Sequence, residues 1–171
     1  MVIAPGEKIV NILREDTKKQ EMAAIVSVSE DGTKLSFNPD TDLVTYPGGC
    51  KKFVIRYDEK TKKYWTLSNQ ADPKYQKVRN ERCRNKLVLM SSANLHKWEI
   101  RSVILEDENV EKSGFQYVDW QFEGKDIIMA CRTAFFDGQS QADNQHNSNF
   151  ITFHRIKNFR KRDLKAPPLM K

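Results

Sequence analysis

Long apolar runs are missing from this 171-residue chain, and nothing in it approaches the roughly 18 consecutive apolar residues of a membrane-spanning helix. Histidine is scarce: His96, His146 and His154 stand at spacings that suit no metal-ligand set. The three cysteines, Cys50, Cys83 and Cys131, lie far apart with no CxxC pair, and an odd number cannot pair fully within one chain. Free, buried thiols are the expectation. The opening MVIAPGEKIVNILRED lacks a basic region followed by an apolar core and a small-residue cleavage site, so it does not read as a signal peptide. No metal, cofactor or membrane span is expected.

The chain does carry positive charge, +6 in all, and its location decides what that charge means. Residues 155–171 hold seven Lys or Arg and one acid, Asp163, which accounts for the whole excess and leaves the remainder neutral. Such a basic end attracts polyanions weakly and without specificity. A dedicated nucleic-acid site would need basic residues interleaved with aromatics on a folded face, and none is expected. The division is therefore one folded domain over 1–160 and a basic C-terminal tail over 161–171. A chain of this length, 39% hydrophobic, is large enough to bury a substantial core.

Strand follows strand along that domain, without a convincing helical period. Short β-rich stretches occur at Lys8 to Arg14, Met22 to Val28 and Lys34 to Phe37, the last two joined by SEDG, whose Asp-Gly step suits a hairpin turn. Further strands are predicted at Lys52 to Tyr57, Tyr64 to Ser68, KLVLMSS, EIRSVILE, the hairpin GFQYVDWQFEGKDIIMACRTA, and NFITFHRI. Two long polar loops, 69–85 and 134–148, separate them.

A repeat underlies this order. Phe53 and Phe115 lie 62 residues apart, as do Ser92 and His154, and each copy runs strand, tight turn, strand, long loop, strand, tight turn. MAAIVSVSEDGTKLSF reads as the second half of an earlier copy. Four short strands per repeat is the pattern of propeller blades. A β-sandwich is the alternative, but it gives no reason for long and short connections to recur in one order. The expected fold is all-β: a partial β-propeller of about two and a half to three four-stranded blades. Both long loops, as connections between second and third strands, are expected to rim one face with the entries PGGCKK and KSGFQY. Open blade faces invite self-association, with Phe53, Ile55, Leu89, Phe122 and Ile127 as candidates.

The stretches PGGCKKFVIRYDEKTKKYWTLSN, RNKLVLMSSANLHKWEIRSVIL, GFQYVDWQFEGKDIIMACRTAF and NFITFHRIKNFR resemble the C-terminal part of bacterial sialidase-like proteins of the BNR-repeat superfamily. The resemblance spans about Glu7 to Arg160. It implies a sialidase-type propeller, a glycan as partner (an acidic sugar by analogy), and exo-sialidase or related glycoside hydrolase activity. A non-catalytic glycan-binding or interaction propeller is the alternative. Members of the family are commonly secreted or periplasmic. The Asp-box of such blades, Ser-x-Asp-x-Gly-x-Thr-Trp, is degenerate here: SEDGTKLSF and SSANLHKW keep parts of it, and HRIKNFR keeps only the position.

The resemblance also implies site residues. Such enzymes hold a substrate carboxylate with three arginines, and use a tyrosine paired with a glutamate as nucleophile plus an aspartate as acid. Arginine forks suit carboxylates, and a neutral phenol does not repel the anion. Tyr117 is the nucleophile candidate and Asp119 the carboxylate candidate; Asp119 could form a carboxylate pair with Asp137 or Asp143, or instead cap a turn or make a structural ion pair with Arg132 across the hairpin. Arg132 is the candidate substrate arginine; Arg56 and Arg84 are further arginines. Gln116, and His146 and Asn149 of the loop ADNQHNSNF, complete the binding candidates, because amides and imidazole hydrogen-bond sugar hydroxyls.

Overall fold

The computed structural model describes residues 1–16 and 20–169. Among them are twelve β-strands, three short 3-10 turns and no α-helix. The strands form three antiparallel sheets taken in chain order. The first holds β1 (Val2–Ile3), β2 (Ile9–Asp16), β3 (Glu21–Val28), β4 (Leu35–Ser36) and β5 (Leu43–Thr45), with β4 and β5 both paired to β3. The second is a four-stranded meander of β6 (Val54–Asp58), β7 (Lys63–Asn69), β8 (Lys86–Ser92) and β9 (Glu99–Glu106). The third has three strands, β10 (Gly114–Glu123), β11 (Asp126–Ala134) and β12 (Phe150–Ile156). None of the three closes on itself. No helix among the described residues is long and apolar enough to cross a membrane.

The middle sheet explains why KLVLMSS reads as a continuous apolar run. Strands covered on both faces need apolar side chains at every position rather than every second one. Trp65, Leu67, Leu87 and Leu89 face the third sheet, in one cluster with Phe115, Trp120, Ile127 and Met129. Their neighbours Tyr64, Val88 and Met90 face the first sheet, packing with Val10, Ala23, Ile25, Val44 and Tyr46. So the sheets stack face to face in chain order, and two hydrophobic layers hold them. Leu89 and Ile127 lie in these layers at 0% exposure, contrary to the expectation that they line open faces. The outward apolar residues are instead Ile151 and Phe153 on β12, 84% and 68% exposed. Burial along β12 alternates residue by residue, as it does in a strand covered on one face only.

Polar links reinforce the stack. Arg160, in the turn after β12, donates to both carboxylate oxygens of Asp58 at 2.8 and 2.6 Å, joining the third sheet to the second. Lys51 is 1% exposed and donates to Glu21 Oε1 at 2.9 Å and to the Asn80 carbonyl at 2.8 Å, tying the loop 70–85 to the first sheet. Residues 162–169 pack back along β9: Arg162 donates to Ser102 Oγ, and the Leu169 N–H donates to the Ile104 carbonyl.

The turns at SEDGT and SANLHK share a geometry despite their different sequences. In the β3–β4 turn, Asp31 accepts from the Thr33 N–H and Gly32 takes φ +70°, which costs glycine nothing. In the β8–β9 turn, Asn94 accepts from the N–H groups of His96 and Lys97, and Leu95 takes φ +67°. The third such turn, after β12, has Asn158 at φ +49°. In the first two, an Asp or Asn side chain accepts from the backbone N–H two residues on and so makes the turn.

Candidate functional site

The two long loops join second to third strands of their sheets, β7 to β8 and β11 to β12, as their place in the repeat predicts. Both converge on the start of β10. The Phe115 N–H donates to the Arg84 carbonyl of the first loop. The side-chain amide of Gln116 donates through Nε2 to the Gln145 and His146 carbonyls of the second, at 3.1 and 2.7 Å. Gly114 permits this approach, because a Cβ there would fall inside contact distance of the Gln145 carbonyl oxygen.

Immediately beyond, β10 is bulged. Gln116 pairs with Arg132 and Asp119 with Ala130, so Tyr117 and Val118 together oppose Cys131. Tyr117 takes φ +51°, a left-handed conformation that a bulky side chain adopts only when its surroundings impose it. Bulges of this kind usually place glycine there, and they re-aim side chains. The consequence is to turn the Tyr117 ring toward the loop, where its hydroxyl lies 3.0 Å from His146 Nε2. Two cations cover the ring: Lys52 Nζ at 4.7 Å and the Arg132 guanidinium at 5.3 Å from its centroid.

Arg132 also donates to the His146 carbonyl at 3.1 Å, and Arg84 donates to Gln116 Oε1 at 3.0 Å. Burial pulls the Arg84 guanidinium down from its ordinary value, and Arg14 pushes in the same direction. A guanidinium stays protonated at any working pH. Arg84 is thus a half-buried cation, close enough to Arg14 and Tyr117 to feel both. Arg14 and Lys52 line one cleft with Tyr117, Asp119, Phe53 and Val54, of about 440 Å3. Among the described residues, none of Arg14, Lys52, Arg84 and Arg132 forms an ion pair with a carboxylate.

Tyr117, Arg132, Gln116, His146 and Arg84 are therefore brought together. Asp119 and Asn149 are not part of that group. The bulge turns Asp119 away from Arg132; it pairs with Arg56 at 3.3 Å and accepts from the Trp120 N–H at 2.9 Å. Asn149 closes the neck of its own loop, accepting from the Phe135 N–H and donating to the Phe135 carbonyl. Asp137 caps the N–H groups of Gln139 and Ser140 in that loop, so it makes no carboxylate pair with Asp119 there. Lys52 and Arg14 are additions that sequence reasoning missed. A signal existed for Lys52, which follows the PGGCK entry just as Gln116 follows the KSGF entry; Arg14 carries none.

A larger cleft, of about 790 Å3, lies between residues 1–7 and β6. Its Tyr64 hydroxyl is already spent on the Ile3 carbonyl, and it gathers no comparable set of unpaired charges. Among the described residues, no group of three or more His, Cys, Asp or Glu side chains is placed to hold a metal ion. No family model matches the chain, and no curated protein matches it.

Proposed function

We propose that this chain is a sialidase-like β-propeller segment whose cleft at Tyr117 binds an acidic sugar. The observation that carries the reading is the set of four cations, Arg14, Lys52, Arg84 and Arg132, gathered around one phenol without a carboxylate partner. Four cations near a cleft that one carboxylate, Asp119, lines leave net positive charge there, which favours an anionic ligand, and arginine forks favour a carboxylate. Gln116 sets the arginines: it accepts from Arg84 while its amide hydrogens fasten the loop that carries His146. Two meanders with equivalent long loops between their second and third strands, stacked in chain order on the first sheet, support the propeller reading, each sheet serving as a blade. On that reading the outer face of β12, with Ile151 and Phe153, is a blade face available for self-association.

Hydrolysis is the activity that the resemblance implies, with Tyr117 as nucleophile. A specific observation favours the second reading, glycan binding without turnover: Asp119, which lines the same cleft, pairs with Arg56 and, among the described residues, makes no hydrogen bond to Tyr117. Calorimetric titration of N-acetylneuraminic acid against a neutral hexose tests the binding claim. The acidic sugar binds and the neutral one does not, and Arg132→Ala weakens binding about tenfold or more, in line with loss of one charge-assisted contact. Equal affinity for both sugars, or an unaffected Arg132→Ala variant, refutes it. Turnover of a fluorogenic sialoside separates hydrolase from binder.

A further inference from the structure

We propose that His146 is the proton acceptor of Tyr117, making this phenol an activated nucleophile toward an electrophile seated in the cation-lined cleft. The inference rests on the site reading above and names what completes it. The hydroxyl–imidazole separation of 3.0 Å is hydrogen-bond length, and with the proton on Nδ1 the His146 Nε2 accepts. Among the described residues this is the hydroxyl's one hydrogen-bonding partner, and no carboxylate competes for its proton. The resemblance would put a glutamate in this place; an imidazole stands there instead. The ring is held edge-on to the phenol, centroids 6.0 Å apart at 83°. Its backbone is fixed at both ends, the N–H on Asn144 Oδ1 and the carbonyl on Gln116 and Arg132. Lys52 and Arg132 over the ring present positive charge to an oxygen that turns negative as it reacts. The left-handed backbone at Tyr117 is strain retained where it aims a side chain.

The chemistry balances. The phenol oxygen bonds the anomeric carbon as the bond from that carbon to an aryl aglycone breaks; the electron pair leaves on the aryl oxygen, and the phenol proton passes to Nε2. Water then attacks the same carbon, the tyrosine oxygen leaves with its electron pair and recovers the proton from the imidazolium, and the proton of the water goes to solvent.

Acylation by N-acetylimidazole, mapped tyrosine by tyrosine by peptide mass spectrometry, tests the pair without any glycoside. Tyr57, 39% exposed, is the internal reference. Tyr117 is expected to acetylate about a hundredfold faster than Tyr57, the low end of general-base assistance. In His146→Gln that advantage falls to the rate of Tyr57. Equal rates in the wild-type protein overturn the proposal with no variant needed, and so does an undiminished advantage in a folded His146→Gln protein, checked by near-ultraviolet circular dichroism. Binding of N-acetylneuraminic acid is read on the same sample. Fast acylation without sugar binding removes the acidic-sugar reading alone; sugar binding with slow acylation removes the pair alone.

Discussion

Replacing Asp58 by asparagine removes the charge from the link between the second and third sheets. Asp58 is 4% exposed, and both its oxygens accept from Arg160, with the Thr61 hydroxyl on one of them at 2.7 Å. The Arg160 hydrogen bonds chiefly, with help from Thr61, hold its carboxyl down to about 2 from an ordinary 3.8. A displacement of nearly two units corresponds to about 2.5 kcal/mol of stability. Because the folded value is the depressed one, that stability is fully present above about pH 5 and is lost as the pH falls toward 2. In Asp58→Asn the side chain keeps its shape but offers an amide where Arg160 needs an acceptor. Arg160 stays against Phe159 and on the Gly124 carbonyl, so its desolvation is partly relieved. The expected loss is about 2 to 3 kcal/mol at pH 7, or roughly 5 to 10 °C in Tm for a chain of this size. Urea unfolding of both proteins between pH 7 and pH 2 is the assay. The wild-type advantage is constant at neutral pH and shrinks between about pH 4 and 2. A difference below about 0.5 kcal/mol at pH 7, or one that does not change with pH, refutes the reasoning.

Two further expectations follow from the same geometry. Gly114→Ala pushes the Gln145 carbonyl outward and carries His146 with it, so sugar binding weakens while the sheets stay folded; unchanged affinity and unchanged His146 resonances would contradict this. The three thiols resist alkylation in the native state at pH 8, because burial raises all of them and pushes Cys131 up to about 11; rapid native-state labelling of Cys131 by iodoacetamide, read by mass, would contradict it.

Much of the fold was legible in the chain. The β-rich stretches KLVLMSS and NFITFHRI both form strands where the sequence predicts them, as β8 and β12. The equal order of long and short connections placed both long loops between the second and third strands of their sheets. Less legible was the outer strand of the first sheet, split into β4 and β5 by NPDTD, where Asp42 and Asn38 bond one another's backbone and interrupt the pairing. Within the site, Tyr117, Arg132, Gln116, Arg84 and His146 come together. Asp119 does not, because a one-residue bulge reverses which face follows it, and alternation counted along GFQYVDWQF carries no sign of that. Arg14 was invisible for another reason: it comes from β2, and its approach to Arg84 depends on how separate sheets stack.

The most direct measurement of the central claim is a crystal structure of the protein with N-acetylneuraminic acid at saturating concentration. The sugar carboxylate is predicted within hydrogen-bond distance of at least two of Arg14, Lys52, Arg84 and Arg132, with the sugar ring against Tyr117. A sugar seated in the cleft beside residues 1–7, or a Tyr117 cleft left empty at saturation, would contradict it.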